Sequence, residues 1–164
     1  MTDPDETRTE TRTRAAAAVG DWLAAQDGLE VERLGEHSWL VMLAGERKRT
    51  IGVHIDVGDR HTTFQSFFMR APDEDEAALY RYLLGRHLRT YVLRFARSAD
   101  GDLLIVGLLP HNAVDTDELD RVLGQLLVAA DEAFDTALRL GFSSYIEREQ
   151  AWRARTGQGR NPIT

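Results

Sequence analysis

Few side chains in this sequence are spaced for chemistry. His54 and Asp56 stand two apart, so on a strand both project from one face and could approach a single cation, with His61 in the adjoining turn. That spacing fixes no ligand geometry, and a polar patch on an outer strand face accounts for the same residues more simply. His54 and Asp56 are thus the only metal candidates, and no metal or other cofactor is expected. His37, His87 and His111 are scattered, and the chain has no cysteine. Thiolate chemistry, disulfides and cysteine-based zinc sites are therefore excluded. No nucleophile elbow, phosphate loop or glycine-rich dinucleotide fingerprint is present. No catalytic residue emerges, and the chain reads as a non-enzyme.

Composition narrows the partners. The 164 residues are 43% hydrophobic and 29% charged, an ordinary globular balance, with a formal net charge of −7. An acidic protein is poorly suited to duplex DNA or an anionic membrane surface, both of which call for a basic face. No apolar stretch is long enough to span a membrane, and Met1–Arg14 has no apolar signal segment. A cytoplasmic location is the simplest expectation. Glu46-Arg47-Lys48-Arg49 is basic for only three residues, and Arg148, Arg153, Arg155 and Arg160 are offset by Glu147 and Glu149. A regulator that binds RNA or a small ligand is the alternative these arginines leave open, but no aromatic stacking positions stand beside them.

The elements that must carry these residues form an α+β order. Met1–Arg14 has nothing to bury and reads as a flexible tail, and 15–142 reads as one domain. Ala15–Ala25 reads as an amphipathic helix ending near Gly28. Four strands follow, at Leu29–Leu34, Trp39–Ala44, Thr50–Val57 and Thr62–Met69, the last three separated by hairpin-length loops. Asp73 with Glu76 three residues on starts a second helix that runs to about Arg89. Tyr91–Arg97 and Asp102–Leu109 make another hairpin, and Asp115 with Glu118 opens a long helix that Gly141 ends. Residues 143–164 form an extension, a short helix and then a loose end. The expected architecture is an antiparallel sheet of five to six strands packed on helices.

Alternation then sorts the faces. Closing Val57 on Thr62 pairs Ile55 with Phe64, Val53 with Ser66 and Ile51 with Phe68. Closing Ala44 on Thr50 pairs Leu43 with Ile51, Val41 with Val53 and Trp39 with Ile55. Both registers turn the same residues of the middle strand inward. The opposite face carries Leu40, Met42, Gly52, Phe67 and Met69, and Met42 and Phe67 flank a shallow groove over Gly52. In the last hairpin, Arg97 opposite Asp102 puts Val92, Leu103 and Ile105 apart from Leu104, Val106 and Leu108. A solvated face of an antiparallel sheet normally reads polar, and this one does not. Either the C-terminal segment covers it, or it is a protein interface for a homodimer or an unknown client. The candidate binding residues are Leu40, Met42, Phe67, Met69, Val92, Leu103 and Ile105.

The second half resembles the YbjN family of bacterial proteins, which shares the fold of type III secretion chaperones. The likeness lies in the Phe95 strand, Asp100-Gly101-Asp102, Leu109-Pro110, then Asp117, Leu119, Leu123 and the Ala130-Asp131 pair. The element order α-β-β-β-β-α-β-β-α matches over Ala15–Leu140. Where the family often has an Asn near the end of the second helix, this chain reads Leu84-Gly85-Arg86-His87. The resemblance implies a small acidic protein that binds other proteins, often as a dimer, or acts indirectly in regulation. It implies no catalytic residues.

Overall fold

The structure is a computed structural model that describes residues 4–160. The outer ends of the expected tail and of the expected loose C-terminus lie outside the described residues. Helix α1 (Pro4–Ala24) leads into β1 (Glu30–Gly35), β2 (Ser38–Leu43), β3 (Ile51–Val57) and β4 (His61–Met69). Helix α2 (Glu76–Arg86), β5 (Arg94–Arg97), β6 (Leu103–Pro110) and α3 (Thr116–Thr156) complete the chain. The six strands form one antiparallel sheet in the order β1-β2-β3-β4-β6-β5. The last hairpin therefore joins the meander through β6.

The strand alternation decides which face is closed. In β3 the residues Ile51, Val53, Ile55 and Val57 are buried while Gly52, His54 and Asp56 between them are partly exposed. The buried set packs on α3, whose Leu119, Val122, Leu123, Leu126 and Ala130 recur at helical spacing. Asp115 starts α3 as expected, its carboxylate accepting the Glu118 N–H at 2.8 Å. Gly141 is followed by Phe142 in a non-helical conformation (φ −145°, ψ 24°), so the helix breaks at the expected place and then resumes. The β2–β3 and β3–β4 registers fall as expected, from Leu43–Ile51 to Trp39–Ile55 and from Val57–Thr62 to Val53–Ser66. The second ladder stops short of the expected Ile51–Phe68 pair.

Several expectations are corrected. Helix α1 begins at Pro4, not Ala15, and its added turns are tied down by Arg12, which donates to the Val57 carbonyl and lies 3.4 Å from Asp59. Asp73 does not cap α2, because Arg70 holds its carboxylate at 2.7 Å, and Asp75 stands at the helix entrance with φ 49°. The last hairpin slips by one residue, with Arg97 facing Leu103 and Phe95 facing Ile105. Gly101 explains the slip: its φ of 95° adds one more residue to the turn, which closes between the Ser98 N–H and the Asp102 carbonyl. A one-residue slip exchanges the faces. Leu103 and Ile105 are accordingly 2% and 1% exposed, in the core and not on the open face. Met69 is corrected for a different reason: a bulge between Phe67 and Met69 turns both Phe68 and Met69 inward. Val92 precedes β5 and packs against the core beside Gly107.

Candidate protein-binding face

All three helices lie against one face of the sheet, so the other is open to solvent. The ladders place its side chains in rows across the strands. One row runs from Glu32 through Leu40, His54, Gln65 and Val106 to Arg94. A second carries Glu30, Met42 and Gly52 on the β1 side and Phe67, Leu104 and Ala96 on the β5 side. Ser38, Asp56, Thr63 and Leu108 make a third. Apolar side chains surround the polar His54–Gln65 pair at its middle: Phe67 is 52% exposed and Leu108 48%, while Leu40, Met42, Leu104 and Val106 are partly exposed. The charged side chains Glu30, Glu32 and Arg94 stand at the two edge strands, and Asp56 lies on the central strand β3 in the third row.

A groove of about 420 Å³ crosses the face, lined by Leu40, Gly52, His54, Gln65, Phe67 and Leu104 and closed at one end by Lys48 and Thr50. Met42 borders it from Gly52, its Sδ 3.5 Å from where a Cβ would stand. The groove's end wall is the β2–β3 loop, which α3 fixes. Asp131 accepts the N–H groups of Arg47 at 2.7 Å and Lys48 at 2.9 Å on one oxygen. Gly45 sits so close to that carboxylate that any side chain there would collide with it. The Lys48 ammonium lies 5.1 Å from the Phe134 ring centre, and burial pushes its pKa down. Asp131 belongs to the Ala130-Asp131 pair that carries part of the family resemblance, and the clamp gives that position a physical role.

His54 and Asp56 do share the open face. His54 Nε2 is 2.6 Å from the Ser38 hydroxyl, a local hydrogen bond that occupies one ring nitrogen. Among the described residues no group of three or more His, Asp or Glu side chains is placed to hold a metal ion. Of the residues singled out from the sequence, the structure brings Leu40, Met42 and Phe67 together on the open face. It places Met69, Val92, Leu103 and Ile105 against the core. Leu104, Val106 and Leu108 take their place, and the Gly101 turn is the signal that would have found them.

The C-terminal part of α3 does not close the face. Beyond Phe142, Ser144 donates from its N–H and hydroxyl to Glu74 at 2.7 and 2.9 Å, which ties this segment to the loop before α2. The Ser144 hydrogen bonds hold the Glu74 carboxyl below its ordinary pKa. A second apolar surface lies at the β5 edge, where Tyr80, Leu83, Leu84 and Phe95 line a cavity of about 170 Å³. Leu84, Leu88 and Tyr91 nearby are 64%, 92% and 60% exposed. Among the described residues no helix is long and apolar enough to cross a membrane.

Residues 17–139 match the YbjN family, whose description reads "Putative bacterial sensory transduction regulator". The chain belongs to the YbjN family. It is 39% identical over 143 residues to an uncharacterized protein of Mycobacterium bovis, covering 81% of this chain and 78% of that one. An uncharacterized protein of Mycobacterium leprae is 38% identical over 124 residues, covering 76% and 67%. Among solved structures, a chain of the heterodimeric ExoU–SpcU complex from the type III secretion system of Pseudomonas aeruginosa matches with a TM-score of 0.51. It is 17% identical, and the match covers 75% of this chain and 97% of that one. The likeness in fold bears out the type III secretion chaperone-like α+β architecture, in the element order read from the sequence.

Proposed function

We propose that this YbjN-family protein is a non-enzymatic, protein-binding module, chaperone-like or adaptor in character, and that its open sheet face is the binding surface. The observation that carries this reading is Phe67, half exposed on the central strand β4, with Met42, Leu104 and Val106 partly exposed near it. An exposed apolar patch of this kind marks a protein-interaction surface. Burying the exposed parts of Phe67, Leu108 and their neighbours stabilises a complex by about 25 cal/mol per Å² of apolar surface. Met42 beside the groove suits a surface that adapts to its partner. The apolar cluster of Leu84, Leu88 and Tyr91 extends the same capacity to the second helix. The matched chain of the ExoU–SpcU complex, which shares this fold, is itself found in a heterodimeric complex. The net charge of −7 disfavours nucleic acid as the ligand.

The test is co-purification from the native cell with wild-type protein and with Phe67→Asp, Met42→Asp and Leu88→Asp variants, each checked for folding by circular dichroism. Loss of a partner with Phe67→Asp and Met42→Asp assigns the open face. Loss with Leu88→Asp alone moves the interface to the apolar cluster at and after the end of α2, and retention in all three refutes both surfaces.

A further inference from the structure

The charge of this chain is unevenly spread. Between Ala77 and Ala99 stand Arg81, Arg86, Arg89, Arg94 and Arg97 and no acidic residue, in a protein of net charge −7. Helix α2, the short turn His87–Arg89 and β5 bring them to one corner of the molecule. Arg86 is paired with Glu132 of α3 at 2.6 Å, and among the described residues the other four make no ion pair. All four of these are exposed.

The same corner holds the apolar cavity between α2 and β5, and Arg97 stands on its wall with Leu84, His87 and Phe95. Arg94 lies near enough to the His87 ring for its charge to act on it. Arg81 precedes Leu84 by three positions, so the two are neighbours on the helix surface. Leu88 and Tyr91, in the connection from α2 to β5, add exposed apolar surface. We infer, resting on the reading of this protein as a protein-binding module, that the α2–β5 corner docks an acidic segment of a partner protein. One leucine-, methionine- or phenylalanine-sized side chain of that segment enters the cavity, and its carboxylates meet Arg81, Arg94 and Arg97.

Size and charge together select this occupant. An apolar cavity of about 150 Å³ takes a benzene-sized group, so the 170 Å³ here fits one side chain. An apolar anchor seated in a pocket and ringed by polar contacts is how protein interfaces concentrate their affinity. The planar guanidinium groups suit carboxylates, and their common sign steers an acidic segment towards the corner. The Phe95 N–H is held by His87 at 2.8 Å, so the segment is gripped by side chains and not added as a strand. A single-stranded nucleic acid would call for a row of exposed rings, and Tyr91 is the one exposed aromatic ring between Ala77 and Ala99. A membrane surface would leave the cavity unfilled.

Panning a library of random dodecapeptides on the full chain at low salt, then measuring the enriched peptides by fluorescence polarisation, tests this. The expected peptides carry several Asp or Glu around a single Leu, Met or Phe. Leu84→Asp and the double variant Arg81→Glu/Arg94→Glu should each raise their dissociation constant about tenfold or more, and Phe67→Asp should leave it within about threefold. The substituted α2–β5 positions are exposed, so circular dichroism should show these variants folded. Enriched peptides without acidic residues overturn the inference, as does an affinity that Leu84→Asp and Arg81→Glu/Arg94→Glu leave unchanged. Tighter binding of a single-stranded oligonucleotide, or of phosphatidylserine vesicles, through the same arginines also overturns it. If Phe67→Asp and not Leu84→Asp abolishes peptide binding, the corner is refuted and the open-face reading survives. A library that yields no binder refutes the corner, and if a co-purified partner is also retained in every variant, both readings fall.

Discussion

Asp131 holds the loop that closes one end of the groove, and removing it should loosen that end by a calculable amount. Its Oδ1 accepts two backbone N–H groups at 2.7 and 2.9 Å, and the Arg47 guanidinium lies 3.9 Å from its Oδ2. Hydrogen bonds to a charged acceptor contribute about 1.5–3 kcal/mol each when the donor is otherwise left dry. The Arg47 N–H is exposed and can turn to water, whereas that of Lys48 is partly buried. The half-exposed Arg47 ion pair adds less than about 1 kcal/mol. Asp131→Ala should therefore cost about 2–3 kcal/mol, a fall of about 5–10 °C in Tm for a domain of this size. Asp131→Asn keeps an acceptor oxygen and should cost about 1 kcal/mol or less. Urea unfolding followed by circular dichroism measures both, and faster hydrogen exchange at the Lys48 amide localises the effect. Equal losses in the two variants, or both within about 0.5 kcal/mol of wild type, would refute the clamp.

The slipped register of the last hairpin predicts that Ile105→Ala costs about 2–4 kcal/mol while Leu104→Ala costs less than about 1. Denaturant midpoints of the two variants check it, and the reverse order would restore the register with Arg97 opposite Asp102. His111 is 4% exposed, with Nδ1 3.2 Å from the Thr62 hydroxyl and Nε2 3.1 Å from the Gly58 carbonyl. Burial chiefly, then the nearby Arg12 and His61, lowers its pKa against the raising effect of the Gly58 bond. A histidine with a depressed folded pKa binds fewer protons folded than unfolded, so stability should fall as pH drops below about 6.5. In His111→Gln the fall between about pH 7 and 5 should be shallower in thermal melts, and an unchanged slope would clear His111 of the effect.

The central hairpins were legible because buried and open positions alternate along β3 and from His61 to Phe67 of β4, and along β2 as far as Met42. Each hairpin also tested the other through β3, where two independent registers had to agree. The failures came where one residue departs from regular backbone. The loop spelled Ser98-Ala99-Asp100-Gly101 has the composition of a four-residue turn, but Gly101 at φ 95° takes the turn one residue further. All of β6 then shows its other side, so an error of one position moved Leu103 and Ile105 from core to surface. The bulge beside Met69 leaves no signature in residue type, since Phe68 and Met69 suit either face. The early part of α1 was misread because its alternating acids, arginines and threonines have no apolar stripe. What holds it is Arg12 reaching the β3–β4 turn, a contact between residues 45 apart.

Two routes to a partner are open to a sheet protein, strand addition at an edge or side-chain docking on a face, and the edges here are guarded. At β5 the Phe95 N–H, which faces away from β6, is already bonded to His87 Nε2 at 2.8 Å. The His87 ring stacks on Phe95 with 6.0 Å between centres, and burial followed by the nearby Arg94 lowers its pKa, so the neutral ring that can accept this bond is favoured. A strand adding to β5 would first have to displace that ring. At β1 every residue is exposed, and Glu30, Glu32 and Arg33 set charges along the edge, the usual defence against pairing with another chain. Arg33 also folds back on the Gly35 and Glu36 carbonyls at 3.0 and 2.7 Å, twisting the end of the strand out of regular pairing. With both edges occupied or charged, the open face and the Leu84, Leu88 and Tyr91 cluster are better placed to take a partner than either edge. Both are read by side chains. Specificity should therefore follow substitutions at Phe67, Met42 and Gly52 and be insensitive to the backbone pairing capacity of β1 and β5.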